Sequence, residues 1–425
     1  MKFNAPRGTH DLWGKQAESL SFLEKLCSKV FQKYNYSEIR FPSFEDAGLF
    51  TRSIGETTDI VEKEMYVFED KKGRKLALRP EGTASVVRAL IENNILYNLP
   101  LGKLYYMGQM FRYERPQAGR YREFYQIGAE YFANPAPSAD AEIIILADEI
   151  LKEAGVKDIK VHINTLGCEK CRPAFRAALK EYLKSVKGLC SDCVIRVEKN
   201  PLRVLDCKID SHKFTELPKM EDFLDEDCKK HFKDVQELLK SAGCVFTVDH
   251  KLVRGLDYYG KTVFEIRSGS LGSQDALCAG GRYDNLVEEL GGNPTPAVGF
   301  ALGSERVIMA LENQKADIPL EKKRMIFIAV SSSALEKEAF RFVAKLRSRE
   351  AEEKYFKGIS EDPKDITVEG PFSDKSLKLQ LRLADKLGAE KTVIFGDEEF
   401  KRGTVLLRDM KTQSQSEISV KDLLG

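Results

Sequence analysis

Residues 110–132, MFRYERPQAGRYREFYQIGAEYF, constrain the fold more than any other segment of the chain. Two aromatic-rich stretches flank a short turn of proline, glycine and arginine, and this order predicts a β-hairpin. Because the side chains of a strand alternate between its faces, the second stretch presents two different surfaces. The apolar surface, which we expect to face the core, carries Tyr121, Tyr125, Ile127 and Tyr131. The polar surface, which we expect to line a site, carries Arg120, Arg122, Phe124, Gln126, Gly128 and Glu130.

The first stretch extends the polar surface, because Arg112 and Glu114 share a face by the same alternation. Gly128 has no side chain and is expected to leave a gap among these groups. Guanidinium groups bind phosphate with paired hydrogen bonds, and an aromatic face stacks on a base. An ordinary hairpin with a charged outer face would explain scattered arginine and glutamate, but not a ring and a glycine on the same side. The pattern therefore predicts a pocket for a nucleotide and a small metabolite.

The composition is that of a globular protein. Its 425 residues suffice for about three domains, and 42% of them are hydrophobic. The 67 basic and 66 acidic residues nearly cancel, so any contact with nucleic acid must come from local patches. The N-terminal segment lacks an apolar signal sequence, and no run of about 18 apolar residues predicts a membrane span. We expect a cytoplasmic protein without membrane contacts, whose nine cysteines are reduced thiols or metal ligands.

The chain divides into a core that is interrupted once and a separate C-terminal domain. Strand and helix patterns alternate over residues 1–167, and strands return over residues 248–320. Residues 168–247 between them are rich in cysteine, lysine and helical patterns, and we interpret them as a helical insertion module. After a charged linker, residues 325–425 alternate strands and helices like a small α/β domain with a mostly parallel sheet.

Several segments resemble motifs of one enzyme family. FRYE, a loop and Arg120-x3-Phe124 resemble the second motif of the class II aminoacyl-tRNA synthetases, and GFALGSER at residues 299–306 resembles the third. Residues 36–45 resemble the first motif, which builds the dimer interface in that class. LVRGLDYYGKTVFEI at 252–266 and AGGRYDNL at 279–286 resemble signatures peculiar to the histidyl-tRNA synthetase family. The resemblance to that family runs nearly from end to end.

The resemblance implies an α+β catalytic core with a mixed, mainly antiparallel sheet, a helical insertion and a C-terminal α/β anticodon-binding domain. It also implies an enzyme that activates L-histidine with ATP to histidyl-adenylate and transfers the histidyl group to the 3′ end of histidine tRNA. The expected ligands and partners are therefore ATP with Mg²⁺, L-histidine and histidine tRNA. The expected assembly is a homodimer.

Amino-acid activation is an attack by the substrate carboxylate on the α-phosphorus of ATP, so catalysis is mainly positioning and cationic stabilisation. Arginine suits this role, because its guanidinium group keeps its charge and offers donors in a fixed geometry. By resemblance, Arg112 and Arg254 are the catalytic residues, and Arg254 stands where other class II enzymes use a metal ion. Gly299 and Gly303 are expected to let a ligand approach the strand backbone.

The resemblance also assigns the ATP contacts. Phe124 and Arg306 are expected to stack on the two faces of adenine. Glu114 is expected to accept from the exocyclic amine of the base, and Arg120 to reach the β- and γ-phosphates. The complete expected set is Arg112, Glu114, Arg120, Phe124, Arg254 and Arg306.

Selection of histidine is expected to depend on both ring nitrogens, because an unpaired buried partner can discriminate by about 10⁴ or more. A carboxylate at one nitrogen and a phenol at the other form a suitable clamp, and Glu130 and Tyr259 are the candidates. The resemblance adds binders for the α-amino group. The complete expected set is Glu81, Thr83, Gln126, Glu130, Tyr258 and Tyr259.

Some of these motifs also have a purely structural interpretation. The sequence RPEGT at residues 79–83 is compatible with a turn followed by a capped helix. Tyr258 and Tyr259 are compatible with core aromatics, and Arg306 with a solvated surface charge. These alternatives stay open at the level of the sequence.

The hairpin loop, residues 115–120, is expected to protrude and to meet the acceptor end of the tRNA. Arg115 and Gln117 are the candidates there, because both side chains pair with base edges or with a terminal phosphate. The C-terminal domain resembles the anticodon-binding module of the family. It has few aromatics on which bases could stack, so we assign no anticodon-reading residues.

The insertion contains Cys168-x2-Cys171 and Cys190-x2-Cys193, separated by eighteen residues. This spacing fits a zinc ribbon, in which four thiolates hold one structural Zn²⁺ and staple a module with a thin core. The alternative is four reduced thiols near helix ends. Cys207 and Cys228 are additional thiols that leave the ligand set open.

Two other functions compete with the ligase. A synthetase-like regulatory subunit of histidine biosynthesis typically lacks the Arg254 signature and the C-terminal domain, and this chain keeps both. An RNA-binding protein without catalysis would use no ATP. Exchange of pyrophosphate into ATP with a panel of amino acids separates the three.

Overall fold

The chain forms two units, Met1–Leu320 and Glu321–Gly425, each with a hydrophobic core of its own. The structure is a computed structural model and describes residues 3–55, 58, 60–272, 275–320, 324–348 and 366–421. No helix within these ranges combines the length and the apolar character that crossing a membrane requires.

A large mixed sheet forms the centre of the first unit. The strands of this unit are β1 (Ser37–Glu38), β2 (Phe44–Asp46), β3 (Val67–Glu69), β4 (Lys75–Leu78), β5 (Lys103–Phe111), β6 (Glu123–Phe132), β7 (Ile159–Thr165), β8 (Phe246–Val248), β9 (Gly260–Ser268), β10 (Ala276–Arg282) and β11 (Ala297–Gly303). In the described residues, eight of them pair in the order β1-β5-β6-β11-β10-β9-β7-β8. The two outermost pairs are parallel and the pairs between them are antiparallel. The predicted mixed, mainly antiparallel sheet is confirmed.

Helices cover this sheet and extend the unit. They are α1 (Lys15–Lys33), α2 (Ala47–Ile54), α3 (Thr83–Glu92), α4 (Ile95–Asn98), α5 (Pro137–Glu153), α6 (Arg172–Ser185), α7 (Ser191–Lys199), α8 (Glu226–Ser241), α9 (Leu286–Glu289) and α10 (Ser304–Asn313). Helix α1 buries Leu20, Leu23, Cys27 and Phe31, whose spacing of three to four residues places them on one face. Leu23, Cys27 and Phe31 form the larger core of the unit together with residues of α5 and of the sheet.

The register of the central strands positions the groups of the candidate site. In the predicted hairpin, β5 and β6 are antiparallel, and Tyr106 pairs with Gly128. On the other side of β6, Glu130 pairs with Gly299 of β11. Each glycine therefore lies directly opposite a large side chain of the neighbouring strand. That side chain occupies the space that a side chain at the glycine would fill.

The predicted insertion is helical, but its last helix packs with the catalytic core. Helix α8 contacts α5, and its residues Phe232, Val235 and Leu239 belong to the larger core. Strand β8, which follows, joins the large sheet through β7. We therefore propose that the insertion ends before α8 and not at residue 247.

The second unit is a small α/β sheet structure. Its strands are β12 (Arg324–Val330), β13 (Ile366–Glu369), β14 (Lys391–Phe395), β15 (Thr404–Asp409) and β16 (Gln415–Ser419), and its helices are α11 (Glu336–Arg347), α12 (Leu377–Lys386) and α13 (Asp397–Lys401). The described strands pair in the order β13-β12-β14-β15-β16. Only the pairs that include β12 are parallel, so the expected mostly parallel sheet is half antiparallel. The connections after β14, residues 396–403 and 410–414, are shorter than the dozen or more residues that a parallel crossover needs.

Candidate active site

A cavity of about 650 Å³ lies against the large sheet of the first unit. Strands β6, β9, β10 and β11 contribute to its lining, and so do the segments 112–124, 205–211 and 249–259. Every predicted catalytic, histidine-binding and ATP-binding residue lines this cavity, with the exception of Glu130. The predicted residues that line the cavity are Glu81, Thr83, Arg112, Glu114, Arg120, Phe124, Gln126, Arg254, Tyr258, Tyr259 and Arg306.

Three charged side chains meet at the turn of the hairpin. The carboxylate of Glu114 lies 3.2 Å from the guanidinium group of Arg120 and 3.7 Å from that of Arg112. The Nε atom of Arg112 donates to the carbonyl of Pro80 at 2.9 Å, which fixes the orientation of the guanidinium plane. Both arginines line the cavity, so an anion there would meet two cations in fixed positions.

Arg254 belongs to a second charged group on the cavity wall. Its Nη1 atom donates to Glu265 at 3.1 Å, and the same carboxylate accepts from Nε of Arg267 at 2.6 Å. All three side chains line the cavity. The backbone next to Arg254 is tied down as well, because Arg203 donates to the carbonyl of Gly255 at 2.6 Å.

Phe124 on β6 and Arg306 on α10 approach the cavity from different elements and complete the hairpin side of the site. Arg306 lies in the first turn of α10, where its Nη1 donates to the carbonyl of Ala276 at 2.8 Å and its Nε to that of Gly119 at 3.3 Å. It is partly buried and lines the cavity, so the alternative of a solvated surface charge does not hold. The ring of Phe124 lies 5.3 Å from the guanidinium carbon of Arg112, within cation–π distance.

Glu130 lies behind the wall of the cavity. Its carboxyl group is fully buried and accepts a hydrogen bond of 2.7 Å from the hydroxyl of Thr83 and another from the hydroxyl of Tyr283. Burial raises the pKa of Glu130 to about 8, because it disfavours the charged form more than the two hydrogen bonds favour it. In this arrangement Glu130 reaches the cavity only through its partners, and direct contact with imidazole stays a prediction.

The RPEGT segment does form a turn and a capped helix. The carboxylate of Glu81 accepts from the backbone N–H of Thr83 at 2.6 Å and of Ala84 at 2.9 Å. These bonds satisfy two of the free N–H groups at the start of α3. Glu81 and Thr83 nevertheless line the cavity, so the structural interpretation and the predicted binding role are compatible.

Three tyrosines form a cluster beside Glu130. The ring of Tyr258 lies 4.6 Å from that of Tyr259 and 5.5 Å from that of Tyr283, between centroids. Tyr258 and Tyr259 are buried, as the core interpretation expects, and both also line the cavity. Their hydroxyl-bearing rings thus belong to the core and to the candidate site at once.

Sequence reasoning missed many residues of the site, and three of them make close contacts with predicted residues: Tyr106, Tyr283 and Glu265. Two of these three had a signal. Tyr106 lines the cavity, and the period of two that starts at Arg112 reaches it on the same face of β5. Tyr283 lies within AGGRYDNL, one of the two signatures that resemble the histidyl-tRNA synthetase family. The hydrogen bond from Arg254 to Glu265 had no signal in the sequence, because it depends on how a loop folds back onto β9.

The predicted alternation fails before residue 123, where β6 begins. Arg122 faces away from the cavity and donates to the carbonyls of Glu114 and Arg7, each at 3.3 Å, whereas Tyr121 lines the cavity. Alternation requires an extended backbone, and these residues lie in the loop. The prediction that Arg122 lines the site and Tyr121 faces the core is therefore wrong.

The gap predicted at Gly128 is filled. A side chain at this position would meet the ring of Tyr106 and would lie 2.8 Å from the carbonyl oxygen of Phe300. Gly128 therefore makes room for Tyr106 and not for a ligand. Arg115 and Gln117, the candidates for the tRNA end, are exposed in the hairpin loop and lie outside the lining of the cavity.

The structure separates the four cysteines that were predicted to share one zinc. The first group is Cys168, Cys171, Asp225 and Cys228, and the second is Cys190, Cys193, Cys207 and Asp210. In each group, the other cysteine and the aspartate that join the C-x2-C pair come from elsewhere in the insertion and its flank. The single site of Cys168, Cys171, Cys190 and Cys193 is corrected to two groups, because tertiary folding and not spacing selects the partners.

Comparisons with known proteins agree with this architecture. A family model described as "Histidyl-tRNA synthetase" matches residues 8–170 and 207–307, and one described as "Anticodon binding domain" matches residues 318–425. A histidine–tRNA ligase of Endomicrobium trichonymphae is 56% identical over 99% of this chain and 100% of its own length. The chain belongs to the histidyl-tRNA synthetase family.

Other members of this family extend the agreement. The histidine–tRNA ligase of Aquifex aeolicus is 47% identical and is covered over its full length. The crystal structure of apo histidyl-tRNA synthetase from S. aureus superposes with a TM-score of 0.81 at 32% identity, covering 100% of this chain and 99% of that one. The predicted class II synthetase fold is thereby confirmed. The family model leaves out residues 171–206, a range that contains α6 and α7 of the insertion.

Proposed function

We propose that this chain is a histidine–tRNA ligase, which uses ATP to activate L-histidine as histidyl-adenylate and transfers the histidyl group to the 3′ end of histidine tRNA. One observation carries the proposal. A single cavity holds cationic groups suited to a triphosphate next to a buried carboxyl group and tyrosines suited to an imidazole. The relatives from Endomicrobium trichonymphae and Aquifex aeolicus, which match over their full length, bear the name of this enzyme and not of a regulatory subunit.

In the first step, a carboxylate oxygen of histidine attacks the α-phosphorus of ATP, and the bond to the β-phosphate oxygen breaks to release pyrophosphate. Negative charge accumulates on the α-phosphate and on the leaving group. Arg112 and Arg254 are our candidates for the α-phosphate, because each is held by a hydrogen bond and both line the cavity. Preorganised donors of this kind need no rearrangement as the charge develops.

ATP is expected to enter with Mg²⁺ as its substrate ion. Arg120 is our candidate for the β- and γ-phosphates, because it lies at the mouth of the hairpin turn beside Glu114. Phe124 and Arg306 are our candidates for the two faces of adenine, and Glu114 for its exocyclic amine. A planar ring and a planar guanidinium group both stack on a base without reading its edges.

The histidine half of the site would be the cluster around Glu130. The hydroxyl of Tyr259 would bond to one ring nitrogen of histidine. Glu130 would accept from the other nitrogen after the hydrogen bond from Thr83 or Tyr283 to Glu130 has broken. Glu81, Thr83, Gln126 and Tyr258 complete the expected set, the first three as partners of the α-amino group. A competitor without ring nitrogens would leave these buried groups unpaired, which is costly.

The transfer step requires the 3′ end of tRNA to reach the adenylate. Arg115 and Gln117 are exposed on the hairpin loop and are our candidates for the acceptor end. Residues 325–425 would bind the anticodon, in keeping with the matched anticodon-binding model. We place this reaction in the cytoplasm, where tRNA is charged.

We further propose that the chain acts as a homodimer. The segment that resembles the first class II motif includes Phe44, which is 52% exposed on the small sheet of β2, β4 and β3. Val67 and Phe68 of the same sheet are 49% and 43% exposed, and the rings of Phe44 and Phe68 lie 6.3 Å apart. Contiguous exposed apolar groups of this kind are typical of an interface.

Exchange of radiolabelled pyrophosphate into ATP with a panel of amino acids tests the assignment. Exchange with histidine alone supports the ligase, and subsequent charging of histidine tRNA supports the complete reaction. Exchange with a different amino acid would overturn the assigned specificity, and no exchange at all would favour the regulatory subunit.

A further inference from the structure

The insertion and its flank contain two groups of metal-ligating side chains, which we call site A and site B. Site A comprises Cys168, Cys171, Asp225 and Cys228, and site B comprises Cys190, Cys193, Cys207 and Asp210. In each group, one candidate ligand atom per residue lies within 4.8 Å of all the others. Six of the nine cysteines of the chain fall into these groups, three in each.

Site A has the dimensions of a single tetrahedral ion. The sulfur atoms of Cys168 and Cys171 lie 3.5 Å apart, and Cys168 Sγ lies 3.3 Å from Oδ2 of Asp225. Ligands around one Zn²⁺, at about 2.3 Å for sulfur and 2.1 Å for oxygen, lie roughly 3.5–3.8 Å from one another. The sulfur separation is far too long for a disulfide bond, which is about 2.05 Å.

The two carboxylate oxygens of Asp225 have different partners. Oδ1 accepts from the backbone N–H of Cys228 at 2.8 Å and so caps α8, whereas Oδ2 faces Cys168. The backbone N–H of Asp225 donates to Sγ of Cys171 at 3.2 Å. Such N–H donors stabilise the thiolate form of a ligand and orient it, as is usual around bound metals.

Site B repeats this arrangement with different elements. Cys190 Sγ and Cys207 Sγ lie 3.9 Å apart, and Cys207 Sγ lies 3.9 Å from Oδ2 of Asp210. Oδ1 of Asp210 accepts from Lys213 at 2.7 Å, and Oδ2 accepts from the backbone N–H of Cys190 at 2.9 Å. The carboxylate is fully buried, and Cys193 and Cys207 are buried beside it.

We propose that the insertion and its flank bind two Zn²⁺ ions, one in site A and one in site B, each through three cysteines and one aspartate. Thiolates and a carboxylate are ligands that zinc accepts, and the four protein ligands at each site close the coordination shell of a structural ion. A polynuclear iron cluster would hold its cysteines further apart than one ion does. Each ion would link chain segments that hydrophobic packing alone connects weakly.

Site B would also stabilise a wall of the candidate active site. Cys207 and its neighbours Leu205, Asp206, Lys208 and Ser211 line the cavity. Site B connects this segment to the start of α7 through Cys190 and Cys193. An ion there would fix this segment, which follows Arg203, and the side chain of Arg203 donates to the carbonyl of Gly255 next to Arg254. This consequence rests on the proposed function, whereas the binding of two ions does not.

The test counts zinc in the full chain, produced with added zinc and dialysed against metal-free buffer. We expect two equivalents per chain by plasma mass spectrometry, and one each in Cys207→Ser and Cys228→Ser. A single site of Cys168, Cys171, Cys190 and Cys193 would instead bind one equivalent and be unaffected by either variant. The readout is metal content, so it stands whether or not the chain proves to be a ligase.

Two further measurements keep the proposal falsifiable if a variant fails to fold. Cys244→Ser removes a cysteine that is as buried as Cys207 but belongs to neither site, and it should keep both equivalents. Reconstitution of the wild-type chain with Co²⁺ should give thiolate charge-transfer bands that saturate at two equivalents. Substoichiometric zinc with six freely reactive thiols in the native chain would overturn the proposal, as would loss of metal in Cys244→Ser alone.

Discussion

The hydroxyl of Thr83 donates a hydrogen bond of 2.7 Å to the carboxyl group of Glu130, which lies 47 residues further along the chain. The bond joins the first turn of α3 to the C-terminal part of β6. Tyr283 donates to the same carboxyl group from the other side. A fully buried acid is thus held between two hydroxyl donors without a cationic partner among the hydrogen bonds that it makes, and this explains its raised pKa.

We predict that Glu130 makes the stability of the first unit depend on pH. Its pKa is about 8 in the folded chain against an ordinary value of 4.5, so the folded state binds more protons between these values. Stability from this group is therefore complete below pH 4.5 and is lost as the pH rises through 8. The loss amounts to a few kcal/mol at most, since one pKa unit corresponds to about 1.4 kcal/mol.

Glu130→Gln removes this titration, because an amide stays neutral. The Tm of the variant relative to the wild type should rise between pH 5 and pH 9, which calorimetry at several pH values measures. A Tm difference that is independent of pH would show that Glu130 has the same protonation state in the folded and the unfolded chain over this range, which would contradict its raised pKa.

Gly299 and Gly303 should respond differently to the same substitution. A methyl group at Gly299 would meet the carboxylate of Glu130 and lie 2.7 Å from the carbonyl oxygen of Ala129, whereas at Gly303 it would meet only the flexible side chain of Arg306 at 3.6 Å. We expect Gly299→Ala to reduce the free energy of unfolding by about 1–3 kcal/mol, as overpacking does. Gly303→Ala should reduce the free energy of unfolding by less than about 1 kcal/mol. Urea denaturation compares the two, and equal losses would contradict the steric argument.

Arg254→Ala should abolish adenylate formation without unfolding the chain. Removing one preorganised donor from a developing anion typically costs about 10²–10³-fold in rate. The fold should survive, because Glu265 keeps Arg267 as a partner at 2.6 Å. Arg254→Lys should recover little, since an ammonium group lacks the paired donors of a guanidinium group. ATP–pyrophosphate exchange together with circular dichroism measures both effects, and unchanged exchange would remove Arg254 from the mechanism.

Phe124→Ala should weaken ATP binding more than histidine binding. Loss of one aromatic stacking contact is worth about 0.5–1.5 kcal/mol, which corresponds to a rise in the KM for ATP of roughly two- to tenfold. Phe124→Tyr keeps the ring and serves as the matched control. Exchange kinetics with ATP and histidine varied separately give the two KM values. A larger rise in the KM for histidine would place the ring at the other substrate.

Local patterns in the sequence predicted those parts of the site that depend on strand geometry. The period of two brought Phe124, Gln126 and Glu130 to one face of β6, although only the first two line the cavity. The same rule misplaced Arg122 and Tyr121, because the backbone before residue 123 is not extended. By resemblance, the third class II motif added Arg306 and a signature of the histidyl-tRNA synthetase family added Arg254, which no local pattern could connect with the hairpin.

The sequence by itself determined the antiparallel hairpin, because alternation acts over a few residues. The resemblance of its motifs to one family added the mixed sheet and most of the eleven predicted residues that line the cavity. Only the tertiary structure decided that Tyr106 fills the space beside Gly128 and that Glu130 bonds with Thr83 and Tyr283. It also decided which cysteines meet. These contacts join residues tens of positions apart, and their selection depends on how whole elements pack in three dimensions, which short-range periodicity does not encode.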